Sequence, residues 1–130
     1  MTDRTYLSPD ALPRPFGYSQ VVVAPAGRTI YVSGQIPFDR DNNLVGEGDI
    51  AAQARRVFDN LTAALEAADA TWSNVVKLNF FVRDVSGMGV VRPIRDEYVD
   101  TDQPPASTLI EVSRLFRDDV LIEIDAIAVA

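Results

Sequence analysis

The stretch Pro104-Pro105-Ala106-Ser107-Thr108-Leu109-Ile110-Glu111-Val112, followed after a polar connection at Arg117-Asp118-Asp119 by Val120-Leu121-Ile122-Glu123-Ile124-Asp125-Ala126-Ile127-Ala128-Val129, decides the fold. Both halves are rich in β-branched residues and alternate with a period of two, which specifies strands. In the second half Val120, Ile122, Ile124, Ala126 and Ala128 share one face, against Leu121, Glu123, Asp125, Ile127 and Val129. The first half divides into Thr108, Ile110 and Val112 against Ser107, Leu109 and Glu111. Each strand is expected to have an apolar face and a mixed face with acids. Leu121, Ile127 and Val129 are too apolar for a solvated face, and Glu123 and Asp125 are too costly to bury without partners. Such a face fits a surface that meets another subunit or encloses a ligand, with a half-exposed sheet face as the simpler reading.

Working back towards the N-terminus, Ser86 or Met88 to Val99 reads as a helix with Pro93 near its first turn, where proline is tolerated. Asn74–Val82 reads as a strand with Val76, Leu78, Phe80 and Val82 on one face and Val75, Lys77, Asn79 and Phe81 on the other. Asp49–Ala68 is the strongest helix: Ile50, Ala54, Val57, Phe58, Leu61, Leu65 and Ala68 form one stripe, capped by Gly48 or Asp49. Before it, Gln20–Ala24 and Thr29–Ser33 flank the turn signal Pro25-Ala26-Gly27-Arg28, which predicts a hairpin. Residues 1–20 carry Pro9, Pro13 and Pro15 and are expected to be irregular, with a short strand near Tyr6. The order β-β-α-β-α-β-β predicts an α+β layer in which two helices cover the apolar face of a mixed sheet. Its other face, with Lys77, Asn79, Ser107, Glu111, Glu123 and Asp125, is left for a further copy of the chain.

At 130 residues the chain is one domain, able to bury roughly two thirds of its unfolded surface. No apolar run approaches the roughly 20 residues of a membrane span. The start, Met-Thr-Asp-Arg-Thr-Tyr, lacks the order of a secretory signal, so a cytoplasmic location is expected. A net charge of −7, with no basic cluster larger than Arg55-Arg56, disfavours nucleic-acid binding. The chain has no Cys and no His. That removes Cys-His and Ser-His-Asp catalysis, thiol redox chemistry and nearly all zinc sites. The alternating Asp39, Asp41 and Asn43 fail as a calcium loop because Leu44 and Ile50 occupy the positions that need Gly and Glu. Chemistry is left to carboxylates, hydroxyls, Arg, Lys, Tyr, backbone amides and water.

Five ordered motifs then carry a family resemblance: Tyr18 in Phe-Gly-Tyr-Ser-Gln, Val32-Ser33-Gly34-Gln35-Ile36-Pro37, Ala52-Gln53-Ala54-Arg55, Pro105-Ala106 through Glu111-Val112, and Ile122 through Ala128. Nearly end to end, the chain resembles the Rid (YjgF-type) family. The resemblance implies a chorismate-mutase-like fold and a homotrimer whose sheets form a central barrel, with ligand clefts between subunits. It further implies cofactor-independent hydrolysis of reactive enamines and imines, such as 2-aminoacrylate, to a keto acid and ammonia. An older family label, ribonuclease or translation inhibitor, sits poorly with the acidic charge and the lack of His.

Carried over by position, the resemblance places the family's Tyr on Tyr18, its Ser-Gly pair on Ser33 and Gly34, and its water-positioning Glu on Glu123. A Cys whose backbone amide touches ligand becomes Leu109. The Arg that clamps the substrate carboxylate becomes Ser107. A charge-assisted hydrogen bond is worth roughly 1.5–3 kcal/mol and an Arg fork makes two, so this exchange is expected to weaken 2-imino-acid binding by about a hundredfold or more. The deaminase activity is then altered or lost, the substrate lacks the carboxylate, or another cation, Arg92 first, has moved in. Thr108 beside Ser107 completes the expected substrate-binding set of Tyr18, Ser33, Gly34, Arg92, Ser107, Thr108 and Leu109, with Glu123 as the catalytic group. The alternative is a trimer of the same fold that binds a small metabolite or regulates without catalysis.

Overall fold

In the computed structural model, which describes residues 4–130, two helices lie on one face of a four-stranded mixed sheet. The strands are β1 (Thr5–Leu7), β2 (Val21–Val23), β3 (Thr29–Gln35), β4 (Val75–Val82), β5 (Ala106–Glu111) and β6 (Ile122–Val129), and the helices are α1 (Ile50–Ala67) and α2 (Met88–Arg95). Residues 1–3 of the N-terminal stretch lie outside the described residues. The main sheet runs β3-β6-β4-β5. β6 is antiparallel to both neighbours, whereas β4 and β5 are parallel, with α2 in the crossover between them.

β6 follows the expected alternation: Ile122, Ile124, Ala126 and Ala128 are buried and the residues between them are half-buried. α1 starts at Asp49, whose side chain accepts from the Ala52 amide and so satisfies an orphan helix donor. Its stripe of Ala54, Val57, Phe58, Leu61 and Leu65 is buried against Phe80, Ile122 and Ile124 in one core. Each large side chain there contributes about 1.5–3 kcal/mol by leaving water. Phe58 also stacks on Tyr98, with centroids 4.9 Å apart, and Tyr98 donates to Asp59 at 2.8 Å, fastening the chain beyond α2 to α1.

Four expectations are corrected. The hairpin between Gln20–Ala24 and Thr29–Ser33 does not form: β2 pairs with β1, and β3 pairs with β6. The intended turn is engaged elsewhere, since Arg28 and Ala130 exchange backbone hydrogen bonds at 2.7 and 2.9 Å. On β4 it is Val75, not Val76, that is buried, because the register against β6 shifts between Val75 and Lys77. This bulge re-aims the first side chain of the strand. α2 is shorter than expected and Pro93 lies in its interior, where the missing amide weakens the ladder shortly before the helix ends. The faces of β5 are the reverse of the expected ones. Leu109 packs on the core and Glu111 accepts from the Val85 amide at 2.9 Å, while Ile110 is exposed. As an edge strand, β5 can hold Ser107 and Glu111 on the helix side at the rim of the core, where their polar atoms still find water or a partner.

One interior polar residue ties the layers together. Gln53 is fully buried; its Nε2 donates to Gly46 O and Asp119 O at 3.0 and 2.9 Å, and its Oε1 accepts from the Leu121 amide at 2.8 Å. Three backbone groups from two connections are thereby held by a single side chain, which is the sole partner of Asp119 O and the Leu121 amide among the described residues.

Candidate functional site

The expected site residues fall into two groups, one on each face of the sheet. Tyr18, Arg92, Ser107 and Leu109 line one cavity of about 230 Å³ on the helix side, together with Phe16, Phe80, Met88 and Arg95. The N-terminal segment reaches this cavity because Ser19 bridges to the start of β5: its amide donates to Pro105 O at 3.0 Å and its hydroxyl to Pro104 O at 2.6 Å. Gly17, at φ +76°, makes the turn that sets Tyr18 beside Ser107. Phe80 and Leu109, paired across β4 and β5, supply an apolar floor.

Arg92 borders the cavity, and its guanidinium makes no hydrogen bond or ion pair among the described residues. Asp96, four residues on along the helix, pairs with Arg95 at 2.9 Å rather than with Arg92. Arg95 was not singled out in the sequence, although Met88, Arg92 and Arg95 fall on one helical stripe, i, i+4 and i+7, where a wholly structural helix would carry only apolar residues. Arg95 is 7% exposed, and its Nε donates to Asp96 Oδ1 at 2.9 Å.

Glu123, Ser33 and Thr108 do not line this cavity. Ser33 is exposed on β3, and Thr108 is held on the bare face of the sheet by Lys77 Nζ at 2.7 Å. Glu123 lies against Gly34: a Cβ there would collide with Glu123 Oε2 and stand 2.7 Å from its Cδ. Gly34 is needed for this close approach, and it also lines a second depression of about 400 Å³ with Gln35, Ile36, Arg40, Arg56 and Asn60. Glu123 has no cation beside it among the described residues: Lys77 bonds Thr108, and Arg114 sits 3.6 Å from Asp118. Desolvation, reinforced by the charge of Asp125, holds the Glu123 carboxyl above its ordinary value. Asp125 itself accepts from Asn79 at 2.7 Å.

The raised value of Glu123 has a sign for stability. The folded state prefers the protonated acid, so the favourable contribution is complete below the unfolded value of 4.5 and is lost as pH rises through the higher folded value. Glu123→Gln, which keeps the shape without the charge, is expected to raise Tm at pH 7, with the gain shrinking to nothing as the pH falls to about 4. Thermal unfolding across that range checks it; a gain that is independent of pH would contradict the assignment.

The family profile described as Endoribonuclease L-PSP matches residues 9–130. A RutC family protein of Pyrococcus abyssi is 40% identical over 117 residues, covering 89% of each chain. A 2-iminobutanoate/2-iminopropanoate deaminase of Dermatophagoides farinae is 33% identical over 130 residues, covering 99% of this chain and 98% of the relative. The crystal structure of YyfB from Yersinia pestis, described as a protein of unknown function of the conserved Rid protein family, superposes with a TM-score of 0.87 at 32% identity over 98% of both chains. The chain belongs to the Rid (YjgF-type) family. Its α+β architecture is that of its Rid neighbours, and the family includes an imine deaminase among this chain's relatives.

Proposed function

We propose that this protein is a cofactor-independent enamine or imine hydrolase whose hold on the substrate differs from that of its 2-imino-acid-cleaving relatives. The observation that carries this reading is the gathering of Tyr18, Arg92, Ser107 and Leu109 around one small cavity. Water attacks the imine carbon, Glu123 accepts the water proton and returns it to the nitrogen, and collapse of the carbinolamine, whose hydroxyl proton also passes to nitrogen, expels ammonia to leave a carbonyl. Tyr18 donates a hydrogen bond or stacks on the planar substrate, and the Leu109 amide and Ser107 hydroxyl bind polar atoms. Ser33, Gly34, Thr108 and Glu123 belong to the opposite face, so the two groups join into one cleft only across a boundary between copies, as in a homotrimer. With Ser in the place of the clamping Arg, activity on 2-imino acids is altered in affinity first.

The test generates 2-iminopropanoate in situ with an amino-acid oxidase and follows its decay with and without the protein, beside Ser107→Arg. Faster decay with wild type, and a KM that falls about tenfold or more in Ser107→Arg, is expected. If neither protein accelerates decay, yet wild type binds 2-oxobutanoate in calorimetry, the hydrolase reading fails. The chain is then a small-metabolite-binding or regulatory trimer of the same fold, the reading that the neutral Ser107 favours.

A further inference from the structure

A buried guanidinium is costly unless its donors are satisfied, and a fork of five N–H groups needs more than one acceptor. Arg95 is such a group. It borders the cavity, yet the acceptor it meets is the single oxygen Asp96 Oδ1, contacted by Nε and lying 2.9 Å from Nη2. Its Nη1 donors have no protein acceptor among the described residues and are left to solvent. Its place is made by the N-terminal segment: a Cβ on Gly17 would collide with Nη2 and stand 3.1 Å from Cζ. The space beside it is bordered by Ser107 and by the apolar Phe80, Met88 and Leu109.

We infer that Arg95 is the anion clamp of this cavity, holding the carboxylate of a small, partly apolar substrate from α2, with Gly17 as its cradle and Asp96 as its positioning residue. The inference rests on the reading of the cavity as the substrate site and names the substrate class: short-chain carboxylates with a planar carbon next to the acid. Arg95 suits the role better than Arg92 because its side chain is already immobilised, so little conformational freedom remains to be lost on binding. Arg92, half-buried and unpaired, adds charge at the cavity wall. A guanidinium on the helix thus stands across from Ser107 and restores the fork that the strand lacks. The cavity, at about 230 Å³, accommodates a substrate of a few carbons.

The experiment measures binding of 2-oxobutanoate, 2-oxobutanamide and inorganic phosphate by calorimetry to wild type, Arg95→Met, Arg95→Lys and Gly17→Ala. Wild type is expected to bind the carboxylate at least tenfold better than the amide and better than phosphate. Arg95→Met is expected to lose about a hundredfold in affinity for the carboxylate alone, and Arg95→Lys less. Gly17→Ala, which displaces the guanidinium but retains it, is expected to weaken the carboxylate too, and decides the matter if Arg95→Met does not fold. In a Ser107→Arg background, Arg95→Met is expected to recover binding. Equal affinities in wild type and folded Arg95 variants, or tighter binding of phosphate, overturn the clamp. Its failure is separable from that of the hydrolase reading: imine turnover that ignores Arg95 leaves the hydrolase standing, and Arg95-dependent binding without turnover leaves the clamp standing.

Discussion

Glutamine in place of Glu123 is expected to lower kcat for imine hydrolysis by about 10²–10⁴-fold, the usual worth of a positioned general base. The exchange is nearly isosteric, so the packing of this side chain on Gly34 survives and the loss is chemical. An amide can orient water but cannot take its proton. The wild-type pH profile should show the same group. Because desolvation and Asp125 hold the carboxyl above its ordinary value, the acidic limb of kcat is expected to lie above the 4.5 of an unperturbed Glu and to vanish in the variant. A stopped-flow comparison of the two proteins from pH 4 to pH 9 reads both. A variant with unchanged kcat, or a wild-type limb that persists in it, would move the proton acceptor elsewhere.

The second large effect is on stability. Gln53→Ala is expected to cost about 3 kcal/mol, because truncation strands Asp119 O and the Leu121 amide and leaves Gly46 O only the Asp49 amide. For a chain of this size that corresponds to roughly 10–15 °C in Tm. The loss should be independent of pH, unlike the effect at Glu123, since no titrating group takes part. Urea unfolding with an unchanged slope and a lower midpoint would confirm a loss confined to the folded state. A shift below about 3 °C would show that water replaces the amide.

Periodicity made the layers legible. The alternation in Ile122–Val129 and the stripe in Asp49–Ala68 each name a buried face, and those faces are the core. Periodicity says nothing about which strand lies beside which. The hairpin expectation rested on a turn signal, Pro25–Arg28, but Arg28 is bonded to Ala130 at the far end of the chain. The reversed faces of β5 have a similar origin. An edge strand of six residues holds Leu109 and Ile110 next to each other, and either can be the inward one until the packing chooses. At the site, Tyr18, Arg92, Ser107 and Leu109 were legible through family position and do share a cavity, whereas Arg95 was not. Its role depends on burial and on a glycine 78 positions away, neither of which a local pattern records.

The clasp of Ser19 on Pro104 and Pro105 also governs motion. Phe16 and Tyr18 wall the cavity, yet they belong to a segment joined to the main sheet through that clasp, and Phe16 is 74% exposed. Breaking two hydrogen bonds frees this wall without disturbing the core, so the segment opens far more cheaply than the domain unfolds. Entry and exit of a ligand can then follow the breathing of residues 16–19, and a bound ligand that touches Tyr18 slows that breathing in return, so that occupancy is written into the exchange rate of the Ser19 amide.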